Sequence, residues 1–244
     1  MTTAVLIHAS LSSARQWRGM LAHLPDWQAD CVDLPGHGGA PDWDGIADYG
    51  DAATGRAALA LGERTDVLVG HSFGAVVALR LALEHPGRIG RLVLIEPVLF
   101  AAARGTPDAL RHGRASAPFA AAMEAGNRDR AARAFTAVWG EGRPWDSLPE
   151  TVRAGLADRI HLVAAAGPML NNDRAGLLAP GRMEALRLPV LLIEGAESPA
   201  VIATIHDRLA ARLPQALRAR IPGAGHMLPV THPAETAAAL DSFG

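Results

Sequence analysis

The chain of 244 residues contains no lysine; all 23 of its Lys/Arg cations are arginine. A lysine Schiff base, a lysine general base and a lysine phosphate ligand are therefore excluded. There is one cysteine, Cys31, so no intramolecular disulfide can form. Cys31 falls in an apparent strand and reads as a buried structural thiol. Aromatic residues make up only 5% of the chain, too few for a stacking platform for a polyaromatic ligand. A net charge of −2 argues against a nucleic-acid or anionic-membrane partner. No apolar run approaches the roughly 20 residues of a membrane span. Met1–His8 lacks the basic and long apolar regions of a signal peptide, which points to a cytoplasmic protein. No group of His, Cys, Asp or Glu has metal-ligand spacing, so neither a metal nor a cofactor is expected.

What the chain does have is concentrated between Val67 and Leu79. Val67-Leu68-Val69 is a short β-branched run suited to a buried strand. Ala75–Leu83 is apolar nearly all round, as in a buried helix. Between them stands Gly70-His71-Ser72-Phe73-Gly74, a G-x-S-x-G pattern. In a strand–turn–helix context that pattern exposes a serine hydroxyl on a sharp turn. The Phe73 N–H then lies at a helix N-terminus, where a free donor and the helix dipole can stabilise an oxyanion.

Strands are predicted at Val5–Ile7, Ala29–Asp33, Val67–Val69, Arg91–Ile95, Pro189–Glu194 and Leu217–Ile221. Ser12 or Ser13 is placed to cap a helix running to about Leu24, and further helices are expected at Thr54–Gly62, after Ser72, at Pro199–Arg212 and at Pro233–Leu240. From Phe100 to Leu188 the chain is rich in alanine and arginine, with helical periodicity and no strand. Candidate helices there cover Ala117–Ala125, Arg128–Val138 and Pro149–Val163. Strands alternating with helices imply an α/β fold: a mostly parallel sheet of about six strands with helices on both faces. An insert of about 85 residues is too long for a loop. It reads as a helical cap, residues 100–188, over a core formed by residues 1–99 and 189–244.

With Ser72, a late histidine and this topology, the chain resembles the α/β-hydrolase superfamily, in its serine-nucleophile, cap-bearing, cofactor-free branch. Gly70-His-Ser-Phe-Gly74 looks like the nucleophile elbow, and His8-Ala9-Ser10 like the family's oxyanion-loop segment. Asp33-Leu-Pro-Gly-His-Gly38 is similar to the Asp-x-x-Gly-x-Gly loop, and Pro222-Gly-Ala-Gly-His226 to the catalytic-histidine loop. Two departures stand out. Ala9 replaces the usual glycine after His8, and Ser198 holds the place where the Gly-x-x-Asp loop carries its aspartate.

The resemblance implies Ser72 as nucleophile and His226 as the base that takes its proton. The backbone N–H groups of Ser10 and Phe73 become the oxyanion hole. The third member of the triad has two candidates. Glu197 lies in the usual loop, one residue early. Glu96 follows the buried run Leu92–Ile95, where a carboxylate is costly unless partnered, and haloalkane dehalogenases draw their acid from that strand end. Glu96 is preferred. His8, His37 and His71 read as hydrogen-bonding supports, and His232 as a surface or capping residue. Phe100, Trp139, Trp145, Met169 and Leu170 are candidates to line an apolar acyl pocket, each with lid–core packing as its plainer alternative. The expected function is hydrolysis of a small-molecule ester, lactone or thioester through an acyl-enzyme. Carbon–carbon bond hydrolysis or cofactor-free elimination with the same triad is a second reading, and a small-ligand receptor a third.

Overall fold

A computed structural model describes every residue except Glu141 and Gly244. Its six strands are β1 (Thr2–Ile7), β2 (Trp27–Val32), β3 (Thr65–His71), β4 (Ile89–Ile95), β5 (Val190–Gly195) and β6 (Ala216–Ile221). They form one sheet in the order β2-β1-β3-β4-β5-β6, with every neighbouring pair parallel. Central strands of a parallel sheet are covered on both faces and must be apolar throughout. β5 is accordingly buried along its whole length, while the edge strands β2 and β6 are largely half-buried or exposed.

Successive side chains of each strand enter opposite layers. Val5, Ile7, Leu68, Leu92, Leu94 and Leu192 pack on one side, against the helices α2 (Tyr49–Ala58), α3 (Phe73–Glu84) and α8 (Ala200–Ala210). Leu6, Val69, Val93 and Ile193 pack on the other, with Trp17, Met20, Leu228 and Leu240. The last four come from the turn Ala14–Trp17 and the helices α1 (Arg18–Leu21), α9 (Leu228–Thr231) and α10 (Pro233–Asp241). Strand order reverses at β1, so the crevice beyond the carboxyl ends of β1 and β3 is the switch point at which such sheets bind ligands.

Between β4 and β5 lie α4 (Pro107–Glu124), α5 (Arg128–Trp139), α6 (Glu150–Ala165) and α7 (Gly167–Asn172), with no strand among the described residues. Ala122, Ala131, Ala132, Trp145, Leu148 and Ile160 give these helices a small core of their own. No helix among the described residues is long and apolar enough to cross a membrane.

Three boundaries differ from the sequence expectation, each for a physical reason. The helix expected from Ser12 or Ser13 to Leu24 is only a 3-10 turn followed by one turn of α-helix, and Ser13 makes no capping bond. Asp33 does that work from a distant loop, its Oδ1 accepting from the Ala14 N–H at 2.7 Å. α2 begins five residues before Thr54, because Asp48 caps it by accepting from the Asp51 N–H. α4 begins ten residues before Ala117, capped by Thr106 with Pro107 in its first turn, and it runs through Pro118. That proline leaves the Arg114 carbonyl without its helical donor, on an exposed stretch where the loss is least costly. Cys31 is half-buried in edge strand β2, and burial followed by Asp30 and Asp33 pushes its thiol up to about 11.

Candidate active site

Ser72 sits between β3 and α3 with φ 57° and ψ −119°, a backbone conformation that L-residues rarely adopt. The flanking glycines make the turn possible. A Cβ on Gly70 would lie 2.3 Å from the Gly74 carbonyl oxygen, and one on Gly74 would lie 2.3 Å from that of Ile7. The elbow is thus wedged between its own helix and the end of β1.

The structure brings three predicted residues into one hydrogen-bonded line. The Ser72 hydroxyl is 2.9 Å from His226 Nε2, and His226 Nδ1 is 2.9 Å from Glu96 Oε2. A carboxylate only accepts, so Nδ1 carries the imidazole proton and Nε2 accepts from the serine hydroxyl. Glu96 is fully buried and directly follows β4 with φ 51°. Its second oxygen, Oε1, accepts from the Gly195 N–H at 2.7 Å and from the Ser198 hydroxyl at 2.8 Å. Three donors to one buried carboxylate satisfy the demand that sequence reasoning raised. Glu197, the alternative acid, is exposed and makes no hydrogen bond to His226; its backbone N–H anchors the histidine loop through the Ala224 carbonyl at 2.8 Å. Ser198, at the family's aspartate position, therefore donates to the carboxylate that is bonded to His226. Sequence reasoning noted the substitution without drawing this contact from it.

Four neutral side chains hold the surrounding loops. His71 Nε2 donates to the His226 carbonyl at 2.8 Å, and its Nδ1 accepts from Gln16 Nε2 at 3.2 Å. Gln16 Oε1 in turn accepts from the Ala9 N–H. A buried chain of bonds thus runs from the loop after β1, through the elbow, to the histidine loop; Gln16 was not singled out from the sequence. Nearby, His37 Nε2 accepts from the N–H of Leu11, a residue at φ 61°, while His8 Nε2 accepts from the Leu34 N–H. Burial, aided by His8, pushes His37 down to about 4. Burial also lowers His8 and drives His71 well below its ordinary value. All three rings are neutral at pH 7, as their acceptor roles require.

In the loop after β1 the N–H groups of Ala9, Leu11 and Ser12 are bonded. The Ser10 N–H has no protein acceptor among the described residues, nor has the Phe73 N–H in the first turn of α3. Ser10 and Ser72 line one cleft with Ala9, Leu11, Phe135, Trp139, Leu156 and Met227; it is mainly apolar, with a volume of about 180 Å3. The five predicted pocket residues divide. Trp139 lines this cleft, its ring centroid 4.5 Å from that of His226. Phe100 and Leu170 line a second cavity behind it, shared by Trp139. Trp145 and Met169 line neither: Trp145 belongs to the core of helices α4–α6, and Met169 packs against Gly50 of α2. His232 stands at the start of α10, as expected, without a side-chain capping bond.

The profile of the alpha/beta hydrolase family matches residues 4–239, nearly the whole chain. The chain belongs to the α/β-hydrolase family. Among α/β hydrolases it is similar to a pimeloyl-[acyl-carrier protein] methyl ester esterase of Aromatoleum aromaticum, at 29% identity over 97% of this chain and 96% of that protein. It is also similar to the lipase LipV of Mycobacterium tuberculosis, at 31% identity over 97% and 90% of the two chains. The fold is shared with a hydrolase from Pseudomonas aeruginosa, with a TM-score of 0.73 at 24% identity over 99% of this chain and 89% of that one.

Proposed function

We propose that this α/β hydrolase cleaves carboxylic esters of small molecules through an acyl-enzyme on Ser72. The observation that carries the reading is the line Ser72–His226–Glu96, with both bonds at 2.9 Å. The esterase and lipase names of full-length relatives point the same way.

A free serine hydroxyl is a poor nucleophile at neutral pH. His226 Nε2 takes its proton as Oγ attacks the substrate carbonyl, and Glu96 stabilises the imidazolium that forms. The carbonyl oxygen becomes an oxyanion between the unpartnered N–H groups of Ser10 and Phe73, aided by the amino end of α3. As the tetrahedral intermediate collapses, His226 returns the proton to the departing alcohol oxygen. A water then repeats the sequence on the acyl-enzyme and releases the acid. Residues 100–188 serve as a cap whose α5 and α6 contribute Phe135, Trp139 and Leu156 to the cleft, excluding water from the reacting ester.

An alkyl fluorophosphonate is expected to label Ser72 alone and to stop ester turnover. Modification of another serine, or full activity in Ser72→Ala, refutes the assignment. Turnover of simple esters also separates a hydrolase from a ligand receptor on the same fold.

A further inference from the structure

Behind the cleft lies a second apolar cavity of about 120 Å3, bounded by α4, α5, α6, α7 and Phe100. Phe135 and Trp139, one helical turn apart on α5, line both spaces. They form a wall two rings wide between the reacting serine and the second cavity. The Trp139 ring is packed between His226 at 4.5 Å, His112 at 5.4 Å and Phe100 at 6.1 Å. Its indole N–H donates to no protein acceptor among the described residues, so packing, including these ring contacts, and not a hydrogen bond holds the partition in place.

Size decides what the second space is for. A cavity of about 150 Å3 accommodates a benzene-sized guest, so the cleft at Ser72, at about 180 Å3, takes about seven heavy atoms. An ester group with its alcohol carbon occupies about four of these. An acyl chain of about four carbons therefore fills the near side of the wall, and the apolar cavity beyond it is the buried space into which a longer chain extends. The far cavity, by the same measure, holds about four to five more atoms, and its surface suits them. Apart from Asn171 on its exposed rim, its polar side chains are His112 and Ser116, which are hydrogen-bonded to each other at 3.3 Å. Burial lowers the His112 imidazole from its ordinary value, so the ring adds no charge at pH 7.

We infer that the second cavity is the distal acyl site of this enzyme, that Trp139 is the partition which turns aside to admit the chain, and that the substrates are esters of medium-length acyl groups of about eight carbons. This inference rests on the ester-hydrolase reading and adds to it the substrate class. The test compares kcat/KM for p-nitrophenyl butanoate and octanoate in the intact protein and in two variants that fill the far cavity from different helices. These are Ser116→Phe on α4 and Ala134→Leu on α5. The intact enzyme is expected to prefer octanoate, and each variant to lower the octanoate-to-butanoate ratio at least tenfold. Trp139→Ala is expected to raise that ratio and to extend turnover to the dodecanoate. An intact enzyme that prefers butanoate, or variants that turn over butanoate with an unchanged ratio, overturn the inference. Binding of butanamide and octanamide by calorimetry supplies a readout that needs no turnover. If no ester is cleaved, the hydrolase reading fails, while tighter octanamide binding lost in Ser116→Phe still upholds the distal site. Equal binding of the two amides refutes it.

Discussion

At the residue scale the decisive contact is the one between Glu96 and His226. Loss of the carboxylate in Glu96→Gln is expected to lower kcat by at least about a hundredfold, since an amide cannot favour the Nδ1–H tautomer or stabilise the imidazolium. Glu197→Gln should stay within about twofold of the parent, because its exposed carboxylate makes no bond to the ring. Ser198→Ala removes one of three donors to Glu96, a loss worth about 1 kcal/mol; the expected signature is a fall in kcat of roughly fivefold with KM unchanged. Steady-state kinetics on one ester distinguishes all three, and a crippled Glu197→Gln beside a normal Glu96→Gln would reverse the assignment. The partnering of Glu96 was legible in the sequence because a carboxylate after a fully apolar strand demands partners. The pocket was only partly legible. Trp139 follows a helical run of the insert and Trp145 lies between two such runs, and periodicity cannot tell a ring facing the cleft from one facing the insert's own core.

At the scale of the element, strand positions were legible because β-branched runs in a parallel sheet are buried on both faces. Helix starts were less so. Asp33 caps a turn nineteen residues earlier in the chain, and a cap supplied from a distant segment leaves no local signature. Helix α8 holds a different kind of surprise. His206 is fully buried against β5, 3.9 Å from Glu194, and neither ring nitrogen has a hydrogen-bond partner among the described residues. Burial pushes its imidazole down to about 3. An unsatisfied buried polar group costs about 1–3 kcal/mol, so His206→Leu should raise stability by about 1 kcal/mol. A higher urea midpoint with an unchanged m-value and unchanged ester turnover is the expected result. A lower midpoint would show that the ring has a structural task.

For the molecule as a whole, the buried neutral histidines set the response to acid. His37 titrates near 4 in the folded chain against 6.5 for a free imidazole, and His206 near 3; His8 and His71 are shifted in the same direction. Between about pH 6.5 and 4 the unfolded chain binds protons that the folded chain refuses. Stability is therefore full above about pH 6.5 and falls as the pH drops through that window, His37 alone accounting for on the order of 3 kcal/mol. Protonation of His37 also removes the acceptor of the Leu11 N–H, so the loop carrying Ser10 should loosen first. Urea midpoints measured from pH 8 to pH 4 should decline steadily below 6.5, and a flat profile would contradict the neutral, buried assignment of these rings.

The backbone at Ser72 places the site in conflict with the stability of the protein that carries it. Leu11 and Ser72, which line the cleft, and Glu96, which is bonded to His226, are three of the four non-glycine residues with positive φ among the described residues. Each such residue costs on the order of 1–3 kcal/mol, and lower stability is the recurrent cost of a site that needs a strained backbone. Two inactive variants expose this trade. Ser72→Ala and Ser72→Gly both lack the hydroxyl, but only glycine adopts φ 57° without penalty. Even after the greater chain entropy of unfolded glycine, the glycine variant should be the more stable by about 1 kcal/mol, a difference of roughly 2–4 °C in melting temperature for a chain of this size. Equal melting temperatures would mean that the turn carries no strain. The expected result is a protein that survives heating best once the serine proposed as its nucleophile has been given up.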